Sequence, residues 1–135
     1  MKNLTIKIIA ITILLLSFTG CEKDARDKYI GDWDFVVWRF FWLNDSGTYV
    51  NDTIYYLGKI KLSGYQNQLS IKFTEEDSVL CDISDSGKIS KHYQDWHYYT
   101  RGQFEENDKA YIEHGYRVLG RGSEFTINGT KKKRE

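Results

Sequence analysis

The sequence predicts an all-β domain, an antiparallel and closed or nearly closed β-barrel of about eight strands. Three observations point there. From residue 31 onward, apolar residues recur with a period of two. Turn residues interrupt that pattern at intervals of about ten. No convincing run from Gly31 on carries apolar residues at helical spacing. A length of 135 residues makes one domain. With 41% hydrophobic and 16% aromatic residues, the chain can fill a core and is not disordered. Nineteen acids balance nineteen bases, so the basic surplus of a nucleic-acid binder is missing.

Each strand is bounded by its own punctuation. Residues 34–43 form a dense aromatic strand ended by Asn44-Asp45-Ser46-Gly47. Ile54, Tyr56, Gly58, Ile60 and Leu62 alternate with Tyr55, Leu57, Lys59 and Lys61, as in a half-buried strand. Leu69, Ile71 and Phe73 repeat the pattern, and so do Val79, Cys81 and Ile83, which turns Cys81 inward. Asp85-Ser86-Gly87 is a turn, and residues 88–92 and 96–104 are strands. A polar turn at residues 105–109 leads to a strand over 110–119, Gly120-Arg121-Gly122 turns again, and residues 124–130 close the domain before the basic run 131–134. Short hairpin connections without helices leave two architectures, a closed barrel or a two-sheet sandwich. The barrel has the advantage of removing exposed edges from so aromatic a sheet.

The chain is expected to divide into a leader at 1–20, a tether at 21–28 and the β-domain at 29–135. Lys2 and Lys7 supply a positive n-region and residues 8–16 an apolar stretch, the pattern of a secretory signal. The stretch is too short for a stable membrane span. Ser17-Phe18-Thr19-Gly20-Cys21 resembles a bacterial lipobox, with Phe18 where Leu is usual. That resemblance implies cleavage before Cys21, acylation of its thiol, and a bacterial cell-envelope location on the outer membrane, on the periplasmic or the surface side. Two or more acyl chains anchor stably where one does not. Losing the leader removes two lysines and no acid, so the neutral chain would become one of net charge −2. Acylated Cys21 would leave Cys81 without an intramolecular disulfide partner. The charged residues after Cys21 read as a solvated tether.

Tyr29-Ile30-Gly31-Asp32-Trp33 has the Gly-x-Trp opening of the lipocalin and wider calycin barrels, and residues 124–132 look like the last strand of small Bacteroidetes lipocalin-like lipoproteins. The resemblance implies that Gly31 turns the chain tightly into the first strand. It also implies that Trp33 closes one barrel end beneath a basic side chain, with Arg117 or Arg121 as the candidate cation. The post-barrel helix of longer lipocalins has no counterpart here. Eight strands leave room for core side chains or one small ligand.

No pattern for catalysis emerges. There is no Gly-x-Ser-x-Gly elbow, Cys-His motif or glycine-rich phosphate loop. His92 and His97 fall on opposite faces of a continuous strand, so neither a metal nor another cofactor is expected. The aromatics are the excess. Alternation sends Trp38, Phe40 and Trp42 to one side and Phe41 and Leu43 to the other. Trp38, Phe40, Trp42, Tyr56, Trp96 and Tyr98 are therefore the candidate ligand-binding residues, lining a barrel mouth suited to a small apolar or glycan ligand. The expectation is a non-enzymatic, membrane-anchored binding protein. The alternative is an envelope protein-interaction module with no small ligand.

Overall fold

The computed structural model describes residues 24–43, 47–91 and 97–133. Eight strands follow one another: β1 (Gly31–Leu43), β2 (Thr48–Leu62), β3 (Gln68–Lys72), β4 (Ser78–Ile83), β5 (Lys88–Lys91), β6 (Tyr98–Glu105), β7 (Lys109–Val118) and β8 (Arg121–Lys131). Each pairs antiparallel with the next, and β1 pairs with β8, from Trp33 opposite Lys131 to Leu43 opposite Arg121. The sheet thus closes on itself as an up-and-down barrel, the architecture of eight-stranded lipocalin-like proteins. This settles the choice between barrel and sandwich.

Several strand limits differ from the sequence reading. β2 begins at Thr48, six residues before the alternation from Ile54 becomes regular, because Asn51, Asp52 and Thr53 mask the pattern. β6 begins at Tyr98. The leader 1–20, Cys21, most of the turn at 44–47, His92 and Trp96 lie outside the described residues.

The odd-numbered residues of β1 face inward. Trp33, Phe35 and Val37 are each at most 1% exposed and meet Ile60, Leu69, Ile71, Ile112 and Ile127 in one continuous core. Cys81 lies in the same core with no solvent exposure, and burial pushes its thiol pKa up to about 12. Inward glycines make room for the aromatics: a Cβ on Gly58 would stand 2.6 Å from the Phe35 ring.

One end of the barrel is sealed. A single 3-10 turn (Asp27–Tyr29) precedes β1, and its buried Tyr29 stacks on Phe104 at 4.1 Å. The Trp33 indole N–H donates to the Tyr29 carbonyl at 2.9 Å. Gly31 then turns into β1 at φ 140°, a conformation that disfavours any side chain. Arg26 donates to the carbonyls of Tyr65 and Gln68, both at 2.9 Å, and so ties the β2–β3 connection to the seal. Within the segment expected as a solvated tether, Ala25, Asp27 and Lys28 are exposed, whereas the Arg26 side chain is only 13% exposed, held by these carbonyls and by Asp24.

The candidate cation over Trp33 is corrected. Arg117 sits opposite Gly122 on β8, which in turn lies opposite Trp42, at the far end of β1 from Trp33. There it pairs with Glu124 and lies 5.9 Å from the Tyr99 ring centroid. Arg121 pairs in register with Val118 and Leu43, also at the far end. At the Trp33 end the residue in register with Trp33 on β8 is Lys131, whose Nζ donates to the Lys28 carbonyl at 2.7 Å. The physical reason is the antiparallel register: only the C-terminal end of β8 returns to the start of β1.

Candidate functional site: the open end of the barrel

The wall is uneven at the end opposite the seal. β3 pairs with β2 only between Lys59 and Leu62, so the upper part of β2 is paired on its β1 side alone among the described residues. The β3–β4 connection, with Thr74, Glu75, Glu76 and Asp77, folds against that stretch instead. A tall wall of β7, β8, β1 and β2 thus faces a low one.

Between them lies a cavity of ≈ 270 Å³ lined by Arg39, Phe41, Val50, Glu76, Asp77, Tyr116, Ser123 and Phe125. A second hollow of ≈ 400 Å³ shares Arg39, Glu76 and Asp77 with it and adds Ile54, Tyr55, Tyr56, Thr74 and Glu75. Phe41 and Arg39 reach the mouth because they continue the inward parity of Phe35 and Val37. Phe125 packs edge-on against buried Phe73 at 5.3 Å and stacks with His114 at 6.2 Å. The Tyr98 and Tyr116 rings lie 5.5 Å apart.

Charges at the mouth are organised around one pair. Arg39 donates through Nε and Nη2 to the two carboxylate oxygens of Asp52, at 3.0 and 2.7 Å. Those bonds lower the Asp52 pKa and raise that of Arg39, with the nearby carboxylates of Asp77 and Glu76 adding to the second effect. Thr74 donates its hydroxyl to Asp77 at 2.7 Å. His114 shares a hydrogen bond with Thr100 at 2.9 Å, and burial lowers its pKa, so the imidazole is neutral at neutral pH. Thr100 is 7% exposed, while His114 is half-buried. Among the described residues, no group of three or more His, Cys, Asp or Glu side chains could hold a metal ion.

The expected ligand set divides. Tyr56 and Tyr98 share the inward parity, and Tyr56 lines the second hollow. Trp38, Phe40 and Trp42 are corrected: they stand on the outer wall of β1, because the parity that buries Trp33 and Phe35 sends even-numbered residues outward. They form a ladder there, with Trp38 and Phe40 centroids 5.9 Å apart and Phe40 and Trp42 5.4 Å apart. Trp38 donates to the Asn51 side chain at 2.6 Å, and Trp42 covers Gly122 of β8. Trp96 lies outside the described residues. Sequence reasoning missed Arg39, Asp52, Phe41, Tyr116 and Phe125. For Arg39 and Phe41 the signal was available, since both follow Trp33 at even intervals on β1 and so share its face.

No known family's sequence profile matches the chain, and no curated protein sequence matches it. Among solved structures, the chain is similar to one described as "Odorant Binding Protein OBP1", at 12% identity and a TM-score of 0.42, over 81% of this chain and 75% of that one.

Proposed function

We propose that the chain is a non-enzymatic, membrane-anchored lipoprotein whose barrel takes one small, mainly apolar ligand at its open end. The observation that carries the reading is the contrast within the interior. Around Trp33 and Phe35 the inward positions are buried and filled, while between Phe41, Val50, Tyr116 and Phe125 a concave space remains. Small-molecule sites are concave, largely apolar, and fixed by a few polar groups, typically about 300–1,000 Å³ in size. Together the mouth and its neighbouring hollow reach that size, with the apolar part supplied by Phe41, Val50, Tyr116 and Phe125 at the mouth. Its aromatic and aliphatic walls suit an apolar body better than a glycan, which demands more hydrogen-bond partners.

Anchoring at Cys21 gives the site a direction. Only residues 22 and 23 separate Cys21 from Asp24, a reach of about 10 Å at ~3.3–3.6 Å per residue. The sealed end, where Arg26 and Tyr29 dock, would then face the bilayer and the open end would face away from it.

Ser123→Trp tests the site, because Ser123 lines the cavity and an indole there would fill it. The full chain should show a raised melting temperature with small apolar amphiphiles, and Ser123→Trp should abolish that rise while keeping its own far-UV spectrum. Equal shifts in both proteins would remove the mouth from consideration.

One observation favours a second reading, an envelope protein-interaction module. The upper edge of β2 is unpaired by β3, and the adjoining outer wall exposes Trp38 at 38% and Tyr49 at 67%. Open strand edges beside exposed aromatics are suited to strand addition by a partner. A single dominant protein crosslinked through this wall in intact envelopes, with no ligand effect at the mouth, would favour it.

A further inference from the structure

We infer that the ligand held at the open end carries a positive charge, as a small amphiphilic amine with an aromatic or aliphatic body. The inference rests on the reading of the mouth as a ligand site and specifies what that site selects. Its basis is the balance of groups that line the two connected hollows.

Arg39 is the cation that would attract an anionic ligand, but its Nε and Nη2 are both engaged by Asp52. The pair is formally neutral. Glu76 and Asp77, which line both hollows, then stand in excess, and Glu75 adds a third carboxylate at the rim of the second. One oxygen of Asp77 accepts from the Thr74 hydroxyl, whereas Glu76 makes no hydrogen bond or ion pair to another described residue. His114 adds no positive charge at neutral pH because burial keeps it unprotonated. Tyr56 and Tyr116 contribute phenols. The lining is therefore apolar on the β1, β7 and β8 side, through Phe41, Tyr116 and Phe125, and acidic on the β3–β4 side. A ligand matching both would seat its body against the rings and direct an ammonium group toward Glu76 and Asp77, with the rings adding cation–π attraction.

The test is calorimetric titration of the full chain with three probes of one shape: 2-phenylethylamine, 2-phenylethanol and 3-phenylpropanoate. The amine should bind up to about fivefold more tightly than the alcohol, as expected of a charge pair in a partly exposed site, and the acid most weakly. The double variant Glu76→Gln, Asp77→Asn, which alters only rim side chains, should bring the amine down to the alcohol's affinity. Ser123→Trp should remove binding of both. If amine and alcohol bind equally and both are lost in Ser123→Trp, the mouth stands and the charge preference is overturned. If no probe binds, or binding survives Ser123→Trp, the mouth reading falls and this inference falls with it.

Discussion

The ring of Phe35 fills the space that a side chain on Gly129 would need: a Cβ there would lie 2.7 Å from the ring. The two residues face each other across the β1–β8 seam that closes the barrel. On the other side of the ring, a Cβ on Gly58 would stand 2.1 Å from the Lys72 carbonyl oxygen as well as 2.6 Å from Phe35. A ring can tilt, whereas a backbone carbonyl fixed in the sheet cannot. Both Gly→Ala substitutions should destabilise through overpacking, by about 1–3 kcal/mol, with Gly58→Ala the costlier. Urea unfolding midpoints measure this, and a neutral Gly58→Ala would refute the close approach.

Trp33 and Arg117 should separate cleanly. Trp33 is fully buried, and its indole bond satisfies the Tyr29 carbonyl. Trp33→Phe leaves that acceptor unpaired and opens a gap, a loss of about 2–4 kcal/mol. Arg117 makes its ion pair with the side chain 67% exposed, so Arg117→Ala should cost under about 1 kcal/mol. Were Arg117 the cover over Trp33 that the family resemblance implies, both substitutions would loosen the same barrel end.

His114 gives the stability a pH dependence of known sign. Burial lowers its pKa in the folded barrel below the ordinary value of 6.5. Above that value the imidazole is neutral in both states and costs nothing. As pH falls below it the unfolded chain takes up the proton first, so unfolding becomes more favourable until the folded histidine protonates too. Chemical denaturation between pH 7.5 and 5 should show that decline, and His114→Gln should flatten it. The Arg39–Asp52 pair has its lowered pKa in the carboxylate range, so its contribution fades only at more acidic pH.

Strands were legible in the sequence because alternation is a local property, and Val79, Cys81 and Ile83 appear in the barrel as their pattern implies. Closure was not legible, since a sandwich strand and a barrel strand carry the same alternation; the β1–β8 register decides it. The faces of β1 were half legible. Alternation separates Trp38, Phe40 and Trp42 from Phe41 and Leu43, but the size of the tryptophans says nothing about which set faces inward. Parity with buried Trp33 answers that. The Arg39–Asp52 pair was within reach as well, because a hairpin that sets Leu43 opposite Thr48 also sets Arg39 opposite Asp52. The low wall of the mouth could not be read, because it follows from how short β3 is relative to β2.

The two cysteines offer a test of the anchor that is independent of any ligand. Cys81 has no solvent exposure, and its pKa of about 12 leaves almost no thiolate at neutral pH. In the folded protein it should not react with a thiol reagent, and it should react once the barrel is unfolded. On the proposed anchor, Cys21 would follow different chemistry: as an acylated first residue it would have no free thiol in either state. Protein purified from membranes should therefore release no thiol signal when folded and one per chain when denatured, with an intact mass that includes acyl groups and lacks residues 1–20. Two thiols on denaturation would show Cys21 unmodified and remove the lipid anchor. One thiol in the folded state would remove it equally, because the reactive group could not be the buried Cys81.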